Sequence, residues 1–582
     1  PVVFMVAGGI YNEQVVLGEI EGSSPQNKIT FRGSSDSVAL VKAVNTAQAN
    51  YVVNIDGLSN IEFDNLQMVS RPAGSANTAH VMVLQNTGNV TVRNSVLRVK
   101  GSVHHQNGSC IMLQGNVRKL QLVSNVLDSG YYSLSFANNT NGYEDFSIQG
   151  NTCTNFNLAS INLKGLKGLN INKNVIRSEY RGKLTGIILE NIDSIIRVQK
   201  NKIYLLGALT GANSVIDGFG KRGVELKSVS GNNQQCALVT NNMISASSNG
   251  VSGQDPVGIF IDGTSSYINV YYNTVRVYAG ASDVTKSKAL FTGAQTSHLQ
   301  VMNNILSNFS GAYAYYITSS NNITSSDYND YYAAGEKFAY WGGADRADLS
   351  ELQVAGTRDG SSLDEEPYFV ANDDLHLSMT NFVSKGQYNT DVIDDIDDEI
   401  RSQMPSPTLG ADEMRRLNHN MSVVRIISPT MPVDTNFPGD AMPPNIEGDS
   451  VLVKAVFYNN GNSTETNIRW HAYVVGHEGV TTSVVRNLGT FYIGQLKIDS
   501  VWMPTTLGII GVQTVMVEFV DFVDDSIPDN SMQQDFYLAP AYNLEAVRMT
   551  VPSGCSLQHS PIAITVKNAG FKEFPAGTSF EI

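Results

Sequence analysis

A six-residue pattern, apolar–x–apolar–x–x–Asn, returns seven times and constrains this chain more than any other feature. It reads LQLVSN (120–125), FSIQGN (146–151), LNINKN (169–174), IRVQKN (196–201), ALVTNN (237–242), INVYYN (268–273) and LQVMNN (299–304). The closing residues are Asn125, Asn151, Asn174, Asn201, Asn242, Asn273 and Asn304, with gaps of 26, 23, 27, 41, 31 and 31 residues. Looser copies precede them at 29–34, 61–66 and 90–95. Alternation with period two marks strands. An asparagine suits a sharp bend, because it tolerates left-handed backbone angles. A second aligned set includes CIMLQG (110–115), SINLKG (160–165), GIILEN (186–191), GVELKS (223–228) and GIFIDG (258–263). With a short apolar piece such as VL, VI or MI after each asparagine, every repeat holds three short strands. Sandwich strands recur every 8–12 residues, which this spacing does not match. The chain is therefore expected to be all-β, opening with a right-handed parallel β-helix of about 10–11 coils over residues 1–333. The hand is carried from the known solenoid class. Like asparagines are expected to form a ladder from coil to coil.

Composition narrows the function classes. The chain has 582 residues, 42% hydrophobic and 16% charged, with a net charge of −15. That balance supports a large core and excludes a broad polyanion-binding surface, so nucleic acid is not expected as a partner. No apolar run approaches the roughly 18 residues of a membrane span. A monomer is expected. Four cysteines cannot build a disulfide framework. Cys110 and Cys153 read as buried free thiols, Cys236 adjoins a strand, and Cys555 lies in SGCSL near the end. Both termini fall within strand patterns, so the chain reads as a segment whose export signal lies elsewhere.

The repeat fades after residue 333, and residues 334–418 are expected to cap the solenoid. They include the acidic stretch DVIDDIDDEIR (391–401). Clustered oxygens admit Ca2+, the one cofactor suggested, although the spacing is not that of an EF-hand; a solvated cap surface is the simpler reading. From residue 419 to 540, apolar alternation broken by turns suggests an immunoglobulin-like β-sandwich, and 541–582 read as the start of a second, truncated one.

Together these segments resemble large exported bacterial proteins of the type IX secretion route, which join a pectate-lyase-like β-helix to CARDB-type sandwiches. PVVFMVAGGIYNEQVVLGEIEG (1–22) resembles that group's first coil, and DYNDYY (327–332), EEPYFV (365–370), DLHL (374–377) and LGADE (409–413) resemble its end-of-helix signature. NNGNS (459–463) and VKNAG (566–570) resemble its sandwich repeats. The resemblance implies an extracellular or cell-surface address and fixes no activity. The residue runs of pectate lyases, polygalacturonases and pectin methylesterases are absent, so an activity taken from fold alone is analogy.

Alternate strand residues face outward. The last outward position of the second aligned set therefore forms a column: Asp56, Gln85, Gln114, Ala137, Lys164, Glu190, Lys227, Asp262 and Thr292. The next column adds Asn162 and Glu225. Arg177, Arg181 and Lys183 precede the strand of Glu190, and Lys221 and Arg222 precede that of Lys227. This basic rim on an acidic protein suits an anionic polysaccharide or cell-surface glycan, with Tyr180 and Phe260 as sugar-stacking faces. A lyase would use Lys227 or Lys164 as base and Arg181 or Arg222 to neutralise a uronate carboxylate. A glycosidase would use Glu190 and Asp262, about 9.6 Å apart at two strand spacings, near the top of the inverting range. Alternatively the charges hold strand register and keep the face soluble, as in a non-catalytic adhesin or stalk. His104 and His105 point apart on an extended loop and read as surface residues.

Overall fold

The computed structural model describes residues 1–34, 39–45, 49–72, 79–100, 108–136, 143–180, 182–206, 220–248, 256–279, 286–431, 445–476, 479–506, 508–550 and 563–578. His104, His105, Ala137, Arg181 and Cys555 lie outside them. The described chain divides into two compact units, residues 1–377 with 382–414, and residues 378–381 with 415–582.

The first unit is a parallel β-helix with three faces. Strands ending at the repeated asparagine form the first face, and Leu122, Ile148, Ile171, Val198, Val239, Val270 and Val301 follow one another in register. The second face stacks Ile111, Leu134, Ile161, Ile187, Val224, Ile259, Leu290 and Tyr315. The third stacks Leu97, Leu127, Cys153, Ile176, Ile203, Ile244, Val275, Leu306 and Tyr331. All three columns meet in one continuous core. Burying such side chains contributes roughly 1.5–3 kcal/mol each, and no coil can bury its own alone. Long strands such as Ser109–Val123 and Thr185–Gln199 turn the corner between faces two and one, merging them into one 22-stranded sheet.

Among the described residues the third face has 12 strands, one per coil, which makes twelve coils against the ten or eleven expected. The extra coils lie at the ends, where the repeat is weakest. The first coil is Val2–Val6, Gly9–Asn12 and Val15–Leu17, and the last first-face strand is Ile323–Asp327, followed by Asn329.

The asparagine ladder is present and continues to Asn329. The Nδ2 of Asn125 donates to Asn151 Oδ1 (2.9 Å), Asn174 to Asn201 (3.0 Å), Asn273 to Asn304 (3.0 Å) and Asn304 to Asn329 (2.9 Å). From Asn151 onward each Oδ1 also accepts the backbone N–H of the asparagine one coil earlier, while that of Asn125 takes the N–H of Ser95, and each Nδ2 reaches a first-face carbonyl, as Asn201 does at Ile171. The bend itself corrects the expectation. The left-handed residue is the one before the asparagine: Ser124 (φ 55), Gly150 (64), Lys173 (55), Lys200 (55), Asn241 (55), Tyr272 (53), Asn303 (61) and Tyr328 (55). The bend needs one residue to reverse the chain and the next to satisfy its buried amides.

The last coil is closed by helix Leu349–Gly356, N-capped by Asp348, whose carboxylate accepts Glu351 N–H at 2.8 Å. Its Leu352 joins the solenoid core beside Trp341. The chain then runs back along the side of the solenoid. Gln387 bonds Asn303 and Tyr272, Arg401 is fully buried over the Tyr272 ring, and Asp394 and Asp398 pair with Lys200 at 2.8 and 2.7 Å. Asp398 also pairs with Lys173, and Asp397 with Lys202 at 3.2 Å. The acidic stretch is thus a strap ion-paired across successive coils whose outer side stays in solvent, as expected of a cap surface: Asp397 and Asp398 keep 46% and 51% of their side chains exposed.

The second unit has a three-stranded sheet (Met421–Ser428, Ser450–Asn459, Leu496–Pro504) and a five-stranded one. They share a core around the fully buried Trp470, Phe457, Phe491 and Phe536. Trp470 Nε1 donates to Asp499 at 3.0 Å. A hairpin of Leu544–Thr550 and Ala563–Asn568 follows.

Candidate functional site

The second face carries the charged ladder. Lys164, Glu190, Lys227 and Asp262 are cross-strand partners on four successive strands. In the adjacent column Asn162, Ile188, Glu225 and Phe260 follow one another. Inward neighbours Val224 and Leu226 belong to the core, which holds Glu225 and Lys227 on the outer side of their strand.

The charges are organised into two groups. Lys164 Nζ meets Glu190 Oε1 at 2.6 Å. Glu225, only 3% exposed at its side chain, meets Arg222 Nη1 at 3.0 Å and Lys227 Nζ at 2.6 Å. Burial opposes its ionisation, but Arg222 and Lys227 outweigh that and hold its carboxyl below the usual glutamate range. Glu225 is therefore an anchor for two cations. Lys183 joins them: burial, together with Arg222 and Lys227, lowers its ammonium from the usual lysine range against the opposing pull of Glu225. Two cations thus contact one carboxylate, and Lys183 lies close enough to feel all three charges. Asp262 forms no ion pair among the described residues; its carboxylate leans over Gly293, where a Cβ would overlap it.

Other predicted members fall elsewhere. Arg177 lies on the third face, bound to Asp373 at 2.7 Å and Glu179 at 3.1 Å, because its strand turns it toward the returning segment. Lys221 is 1% exposed, and its Nζ has no hydrogen-bond partner among the described residues; burial lowers it to about 7. It is no part of a solvent-facing rim. Tyr180 is half-buried against the core. Phe260 offers no face to a sugar, since Arg222 covers one side at 3.9 Å and Phe291 the other at 4.7 Å.

That stack continues from Phe291 to Tyr316 (5.5 Å) and Tyr340 (4.3 Å), an aromatic ladder that the charge columns do not reveal. Its signal is legible as an aromatic residue at one register position in GIFID, ALFTG, YAYYI and FAYWG. One group among the described residues could hold a metal: His376, Asp397 and Asp412, whose ligand atoms lie within 4.8 Å of one another.

Fold and site together define a parallel β-helix that presents a charged ladder on one face. No protein-family model and no curated protein matches the chain. Among solved structures, it is similar to a tailspike protein of Acinetobacter baumannii bacteriophage Fri1, described as a capsular polysaccharide depolymerase. That likeness has 11% identity and a TM-score of 0.23, covering 97% of this chain and 76% of that one. Tailspike protein 2 of Escherichia coli O157:H7 bacteriophage CAB120 gives 11% identity and 0.17, covering 91% and 64%. The tailspike of E. coli bacteriophage HK620 gives 10% and 0.18, covering 85% and 86%. Scores this low carry nothing about the site over to this chain. No helix among the described residues is long and apolar enough to cross a membrane.

Proposed function

We propose that the second face of the β-helix binds an anionic polysaccharide at the cell surface. The observation that supports this is the pairing of two cations, Arg222 and Lys227, with the single carboxylate of Glu225, with Lys183 feeling their charges, on a chain of net charge −15. Such a local patch draws carboxylated or sulfated sugars without making the whole surface basic. Lys164, Glu190, Asn162 and Asp262 extend the face along the solenoid axis, the direction a sugar chain would take. In this reading the protein is exported by the type IX route. Its second unit is an immunoglobulin-like, CARDB-type module that spaces or adheres.

Cleavage is a further step on the same site. Lys227, having given its own proton to solvent, would take the proton beside a uronate carboxylate that Arg222 neutralises, while the neighbouring C–O glycosidic bond breaks to leave an unsaturated sugar end and a new hydroxyl protonated from solvent. The non-catalytic adhesin is favoured by one observation: Lys164, Glu190, Arg222 and Lys227 are all engaged in ion pairs within the ladder.

The test is affinity electrophoresis through gels holding polygalacturonate, alginate or a neutral glucan, with ultraviolet absorbance of unsaturated ends followed in parallel. Retardation only in acidic gels supports the binding reading, and absorbance lost in Lys227→Ala adds cleavage. Equal mobility in all gels removes the proposal.

A further inference from the structure

His376 lies on strand Asp374–Leu377, whose alternate residues Leu375 and Leu377 are buried. The alternation turns Asp374 and His376 to the other side, where the returning segment meets them. His376 Nδ1 bonds the carboxylate of Asp374, and Nε2 lies 2.7 Å from Asp397 Oδ2. Asp412 comes from a third stretch of chain and accepts Leu377 N–H at 3.2 Å. His376, Asp397 and Asp412 each bring one ligand atom within 4.8 Å of the others.

From this arrangement we infer a site for a first-row divalent transition metal, Zn2+ above all, bound by His376 Nε2 and the carboxylates of Asp397 and Asp412. The donor set selects the metal. Imidazole with carboxylates suits zinc and its neighbours, whereas calcium takes oxygen ligands. The second layer is already in place, since a metal-bound histidine usually gives its other ring N–H to a carboxylate, and Asp374 takes that role. Any proton on Nε2 leaves to solvent as the metal takes its lone pair. The three ligands come from separate segments, so the ion staples the strap to itself and to the strand below it. The site is independent of the polysaccharide reading.

The test uses the full chain, stripped with EDTA and titrated calorimetrically with ZnCl2 and separately with CaCl2. One zinc per chain is expected, lost in His376→Ala and in Asp412→Asn. Asp374→Asn should weaken it about 10–100-fold, the usual cost of removing a second-layer partner. Circular dichroism of the metal-free variants establishes that they fold. Absence of stoichiometric zinc binding overturns the proposal. So does zinc binding unchanged in folded His376→Ala and Asp412→Asn, or calcium displacing zinc from the site.

Discussion

Adjacent residues at each first-face bend carry opposite duties, and they should respond oppositely to substitution. Asn125 is 1% exposed, and its amide serves Asn151, Val92 and the N–H of Ser95. Asn125→Ala orphans buried groups that cost about 1–3 kcal/mol each, so a clear fall in melting temperature is expected. Ser124, at φ 55, gains from glycine, which adopts that angle without strain. Ser124→Gly should leave the melting temperature unchanged or raise it slightly. Reversed signs in calorimetry would refute this division of labour. Glu225 gives a pH-dependent counterpart. Its folded carboxyl titrates below the usual range, so its stabilisation is fully present above about pH 4.5 and is lost as pH falls through the lower folded value. Glu225→Gln should therefore melt lower than the parent at pH 7, with the gap closing in acid; a gap that widens in acid would contradict the pairing. Thiols complete this scale. Burial raises Cys110 far above the usual range and Cys153 to about 11, whereas Cys236 is partly exposed. With Cys555 replaced by serine, maleimide should label Cys236 first in the native protein. Labelling of Cys110 or Cys153 at a similar rate would show the core to be open.

At the scale of elements, the solenoid depends on close approach at the corner where second-face strands begin. A Cβ on Gly223 would overlap Ile244 Cγ2 and lie 2.6 Å from the Gly258 carbonyl oxygen, while one on Gly293 would meet mainly the movable carboxylate of Asp262. Gly223→Ala should cost about 1–3 kcal/mol, and Gly293→Ala much less, by thermal melting of both variants. Equal losses would mean that the corner yields. The three columns are legible in the sequence because strand period and coil stacking place the same kind of residue in register every coil. That is why Lys164, Glu190, Lys227 and Asp262 align from the repeat alone. Partners from outside the repeat are not legible. Arg177 is claimed by Asp373 and Lys200 by Asp394 and Asp398, almost two hundred residues away, where no periodicity points. The fate of Phe260 is hidden for a nearer reason: the alignment gives its column, while its stacking on Phe291 depends on which side chains fill both flanking coils.

Across the whole molecule, acidic and basic groups are sorted. The lysines at the corner and third face, Lys173, Lys200 and Lys202, are taken by the strap, whereas the cations beside Glu225 outnumber their carboxylate. Under the proposed function, a chain of net charge −15 repels an acidic sugar elsewhere and attracts it at this patch. The most direct measurement is the dissociation constant for an acidic oligosaccharide, by titration calorimetry at low and high salt, of the parent and of Lys227→Glu. The side chain of Lys227 is 43% exposed, which lets the charge be reversed with little disturbance of the core. The parent is expected to bind with an affinity that weakens with salt, and the variant to bind at least tenfold more weakly. Binding that is absent from the parent, or equal in the two proteins, would contradict the proposed function.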